Sequence, residues 1–194
     1  VEETGAAQHY RDARILPIRR MDSAGASAGA LIDAIDIAIS AGADVFLDDD
    51  LSPQPLNSET GGPFVVREYS IAEENAFLRG AAAGMIFVVP TGGGEEGGMP
   101  LEAAPEALAP QEFPEIEPFF VAVSGSGSNP CGGAANWCLT APDSGLVAAA
   151  DLNDGAPLVV DGYAQWAGSG GAAAIVSGAV AVLKSRFPDL SAQD

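Results

Sequence analysis

Histidine and lysine each occur once, as His9 and Lys184, and lysine and arginine together number only eight. Against 27 aspartates and glutamates this leaves a formal net charge of −19, which repels phosphate backbones and anionic lipid headgroups alike. Nucleic acid and membrane surfaces are therefore not expected as partners. The acidic balance suits a highly charged soluble surface, a secreted protein, a calcium-requiring one or a halophile. No apolar run approaches the roughly 20 residues that span a bilayer. Val1-Glu2-Glu3 does not open as a signal peptide does, so the start reads as a mature or truncated end. Cysteine is scarce as well. Cys131 and Cys138 bracket Gly-Gly-Ala-Ala-Asn-Trp, and two cysteines with one histidine are too few for a structural zinc site. They read as a local disulfide, which places folding in an oxidising compartment: secreted, periplasmic or cell-surface. The alternative is a pair of buried free thiols.

What is present suffices for one globular domain over residues 1–194, with 47% apolar residues to build a core. Ala13-Arg14-Ile15-Leu16-Pro17-Ile18 is short, apolar and branched, as a buried parallel strand would be. Leu31, Ile32, Ile35 and Ile39 then recur at helical spacing between Ser27, a potential cap, and Gly42, a potential stop. Asp44 to Leu47 makes a strand, Ser70 to Gly84 a second helix with Ile71, Phe77 and Leu78, and Met85 to Val89 another strand. This alternation predicts a parallel α/β sheet. Pro90 to Pro118 is rich in Gly, Glu and Pro and reads as a long surface loop. Phe119 to Val123 resumes the sheet, Leu139 to Ala141 and Leu158 to Val160 are β-like, and a long apolar helix follows Gly168 until Phe187-Pro188 ends it.

Three stretches together resemble the subtilisin-like serine peptidases, the subtilases, and in detail those carried by bacterial autotransporters. The first is Asp12 to Arg19, similar to the strand after the family's histidine-bearing helix. The second is Ser128-Asn129-Pro130-Cys131 through Trp137-Cys138-Leu139-Thr140-Ala141-Pro142. The third, Gly168-Ser169-Gly170-Gly171-Ala172-Ala173-Ala174-Ile175-Val176-Ser177-Gly178, lies over the family's Gly-Thr-Ser-x-Ala-x-Pro-x-Val-x-Gly. The resemblance implies a three-layer fold, a mostly parallel sheet between helices, with the N-terminal part of the domain missing. It also implies peptide or protein as the substrate.

Hydrolysis in this family needs a serine oxygen, a histidine, an aspartate and oxyanion donors. Aligned on Val176-Ser177-Gly178, the third stretch puts Gly170 at the nucleophile position. Ser169, at the preceding threonine, substitutes only if the turn holds an extra residue; otherwise it reads as a helix cap. The family's histidine and aspartate segments lie upstream of this sequence, and His9 reads as a surface residue. Gly93 falls at the oxyanion asparagine, after Gly92 of the substrate-binding turn. Asp49 and Asp50 fall on the edge where a peptide would pair by its backbone. Asp48, Asp49 and Asp50 could instead offer oxygens to calcium, with Glu95 and Glu96 nearby, although such clusters are more often solvated; no cofactor is otherwise expected. The glycines at 92–94 lack the Lys and Ser/Thr of a phosphate loop. The expectation is a subtilase scaffold that is inactive as written. Its alternatives are a fragment of an active secreted endopeptidase, a non-catalytic or calcium-binding module, and a sequence designed on a subtilase scaffold.

Overall fold

A computed structural model describes residues 13–22, 25–26, 28–49, 69–93, 103–149, 158–160, 162–189 and 191–192. Two very short strands, β1 (Met21–Asp22) and β2 (Gly25–Ala26), pair antiparallel ahead of helix α1 (Ala28–Ala41). The expected cap at Ser27 lies outside the described residues. Leu31, Ala34, Ile35 and Ala38 form the buried stripe that the helical spacing anticipates. Gly42 ends the helix at φ 70°, its amide turned back to the Ile39 carbonyl, a conformation that glycine adopts without penalty.

After β3 (Val45–Leu47), helix α2 (Ile71–Ala82) starts at a capping box. The Glu73 amide donates to Ser70 Oγ at 3.3 Å, and the Ser70 amide donates to Glu73 Oε2 at 2.8 Å. Strands β4 (Ile86–Pro90), β5 (Phe120–Ser124) and β6 (Cys138–Thr140) complete a four-stranded parallel sheet in the order β3-β4-β5-β6. Because side chains alternate across a strand, the sheet presents two apolar faces. Phe46, Phe87, Val89, Phe120 and Ala122 meet α1 and α2 in one core, while Val88 and Val123 meet Ala172, Ala173 and Val176 of helix α4 (Ser169–Arg186) in another. Helix, sheet and helix thus make three layers. Between β6 and α4, strands β7 (Leu146–Ala149), β8 (Leu158–Val160) and β9 (Tyr163–Trp166) form a small antiparallel sheet in the order β7-β9-β8. The Cys131–Cys138 disulfide is formed and staples the 310 turn Gly132–Trp137 to the start of β6.

Two expectations are corrected. The stretch from Pro90 to Pro118 is not a surface loop where it is described. Residues 103–119 form a 310 turn (Pro105–Leu108), the short helix α3 (Ala109–Glu112) and a second 310 turn (Pro114–Phe119), with Ala103, Ala107, Ala109 and Ile116 buried. The prolines mislead because Pro105, Pro110 and Pro114 each sit in the first turn of a helical piece, where a missing N–H costs nothing. Trp137 fastens this segment by donating its indole N–H to the Ala107 carbonyl at 2.9 Å.

The strand expected from Ala13 to Ile18 joins no ladder, and Ile15 and Leu16 are exposed. That segment lines a cavity of about 1310 Å³ together with residues of β3, α1, α4 and Ala148. A strand exists only where a neighbour pairs with it about 4.8 Å away, and residues 13–20 form no such pairing.

Candidate active site

In a parallel sheet every strand delivers its following loop to the same edge, which is where open α/β sheets place their sites. Here β3 leads to Asp48 and Asp49, β4 to Thr91-Gly92-Gly93, and β5 to Gly125 through Asn129. The β4 and β5 exits are laced together. The Thr91 amide donates to the Val123 carbonyl at 2.8 Å and the Asn129 amide to the Gly92 carbonyl at 2.9 Å. The Thr91 and Ser124 hydroxyls both donate to the Asn129 carbonyl, at 2.8 and 2.7 Å. Gly93 bridges to Ser128 and is exposed, with nothing within 4 Å of where a Cβ would stand.

Asp143 holds the third loop and the start of α4 together. Its carboxylate accepts from the Gly127 amide at 2.8 Å and from the Ser126 and Ser128 hydroxyls, each at 2.9 Å. Its carbonyl accepts the Gly168 amide at 2.7 Å, fixing the turn at φ 115° from which the helix departs. The Gly127 amide first, then the Ser126 hydroxyl, lower the Asp143 pKa below its ordinary 3.8, outweighing burial, which acts the other way. A depressed carboxylate pKa contributes stability that is complete above the unfolded value and is lost as pH falls through the folded one. Denaturant titrations from neutrality down to strong acid should therefore show the unaltered protein losing stability below about pH 4. An Asp143→Asn variant should be weaker at neutral pH and converge on the parent in acid. Sequence reading missed Asp143. Its one signal is a charged residue placed directly after Ala141-Pro142, where burial is unexpected.

The glycine that the resemblance aligns with the nucleophile is the second residue of α4. Gly170 carries no side chain, and a Cβ built there overlaps Asp49 Oδ1 and lies 2.8 Å from both Cγ and Oδ2 of Asp49. The structure thus joins two predicted residues, Asp49 and Gly170, that are far apart in the chain. Ser169 is the first residue of the helix, buried, and makes no capping hydrogen bond; Gly168 is the cap, which corrects the reading of Ser169 as one. The proposed carboxylate trio is divided. Asp48 is buried and paired with Arg20, Asp49 is exposed at α4, and Asp50, Glu95 and Glu96 lie outside the described residues, as does His9. Among the described residues no three His, Cys, Asp or Glu side chains are grouped as a metal site would require. Among them, too, no helix is long and apolar enough to cross a membrane.

A parallel sheet between helix layers, with a glycine-rich turn opening the last helix at the strands' carboxyl edge, defines a subtilisin-like peptidase fold. The model of the subtilase family matches residues 2–194, and the chain belongs to that family. No curated protein matches it. Among solved structures it is similar to the prenylagaramide maturation protease PagA, with a TM-score of 0.63 and 19% identity over 92% of this chain and 58% of that one. It is similar also to MycP1 with its N-terminal propeptide removed (TM-score 0.61, 20% identity, 94% of this chain and 61% of that one). A third is the PatG macrocyclase domain (TM-score 0.60, 17% identity, 86% and 45%). At these identities the likeness is one of fold, and the chain spans about three-fifths or less of each of these structures.

Proposed function

We propose that this chain is a subtilisin-like endopeptidase domain that does not hydrolyse peptides: a pseudoenzyme that keeps the scaffold without the catalytic groups. The observation that carries the reading is Gly170, which has no oxygen to attack with, beneath the Asp49 carboxylate. The loss at Gly93 adds to it. Removing one oxyanion donor costs about a hundredfold to a thousandfold in rate, and a missing nucleophile removes the covalent route altogether. The reading invokes no cofactor. Its partner class is peptide or protein, in keeping with a PatG macrocyclase solved in complex with peptide. The disulfide supports a secreted, periplasmic or cell-surface location of the autotransporter-like kind.

Purified protein is expected to release no fragments from casein above buffer and to take up no fluorophosphonate. Covalent labelling at Ser169 would overturn the proposal. The 58% span of PagA favours a second reading, in which this chain is a fragment and further chain supplies the Asp and His of the triad. Such an extension still leaves residue 170 without a hydroxyl, so the longer protein is expected to release no fragments from casein either.

A further inference from the structure

The two glycines that stand at catalytic positions differ physically. Around Gly93 a side chain would meet open space, whereas at Gly170 a side chain would meet the Asp49 carboxylate. We propose that Asp49 and Gly170 are a coupled pair, the Asp49 carboxylate being the built-in occupant of the nucleophile position, so that no side chain at 170 is free to react until Asp49 is shortened. The proposal rests on the inactive reading above and goes beyond it: the site is filled as well as emptied.

The parts follow from the chain. Asp49 stands two residues past the end of β3, and β3 packs beneath α4, so the carboxylate is delivered to the first turn of an 18-residue helix. Negative charge is favoured there, because the first-turn amides point outward and the helix dipole is positive at that end. Aspartate has a short side chain, so yielding to a new Cβ means swinging the carboxylate off the helix end. Glycine at 170 removes that conflict, and helix propensity alone would not have chosen it.

The test uses a thiol as reporter. The native cysteines are joined in the disulfide and none is free, so Gly170→Cys adds the one reactive thiol. With Asp49 in place, the displaced carboxylate stays beside that thiol and opposes its ionisation. With Asp49→Ala added, the helix end favours the thiolate. Iodoacetamide labelling at pH 7.5 (about one unit below an ordinary thiol pKa) is expected to be at least about tenfold faster in the double variant. Equal rates would overturn the proposal.

If Gly170→Cys fails to fold and the double variant folds, the coupling is supported. If neither folds, alanine decides. Gly170→Ala should raise the melting midpoint by about 2–4 °C in the Asp49→Ala background, as alanine for helical glycine ordinarily does, and lower it when Asp49 is present. The same shift in both backgrounds would refute the coupling. Failure here is separable from failure of the inactive reading. Fluorophosphonate uptake by the unaltered chain strikes the latter alone, and equal thiol rates strike only the pairing.

Discussion

Replacing Phe87 by alanine is expected to cost about 3–5 kcal/mol, the largest loss any single truncation of this core should give. Phe87 is fully buried in β4, on the face beneath α1 and α2. Its ring stands 5.1 Å from Phe77, 5.8 Å from Phe46 and 6.3 Å from Phe120, edge-on to the first two and stacked on the third. Aromatic pairs of this kind add about 0.5–1.5 kcal/mol beyond the area they bury. The ring also explains Gly80 of α2, where an added methyl would lie 2.5 Å from Phe87 Cζ and 2.9 Å from Met85 Cε. Denaturant unfolding should therefore show Gly80→Ala destabilising in the parent and less so beside Phe87→Leu. Equal costs in the two backgrounds would show that the helix does not rest on this ring.

Gly125→Ala is expected to be nearly as damaging for a different reason. A Cβ at Gly125 would overlap Cβ, Cγ and Oδ2 of Asp143, and Asp143 cannot retreat cheaply, being held by three hydrogen bonds from Ser126, Gly127 and Ser128. Overpacking typically costs about 1–3 kcal/mol, and a side chain pinned from several directions puts this site toward the upper end. Because the Asp143 carbonyl also fixes the Gly168 amide, the strain reaches the turn that opens α4. Urea midpoints should fall for Gly125→Ala, and the fall should be smaller in an Asp143→Gly background than in the parent. A midpoint unchanged from the parent would mean that the loop after β5 moves freely, contrary to its lacing with Thr91 and Gly92.

The helices and sheet strands were legible because their signals are local. The Ser70/Glu73 box, the stripe from Leu31 to Ala38, and the branched run from Ile86 to Val89 each encode their own element. The 103–119 segment was misread because proline signals a turn only statistically, whereas its place within a helix's first turn and the burial of Ala103 and Ile116 depend on what packs above. Ala13 to Ile18 was misread for the opposite reason. Its pattern is that of a strand, but a strand is made by its neighbour, and here a cavity lies beside it.

Of the expected site, Gly170 and Gly93 come from aligning the final helix and the β4 exit on the family pattern. By itself, then, the chain determined its α/β class, its acidity and the absence of a side chain at residue 170, since composition, periodicity and residue identity need no partner. Only the tertiary structure decided that Asp49 covers that position and that Asp143 ties the β5 loop to α4. Both depend on contacts between segments far apart in sequence, which parallel strands bring to one edge.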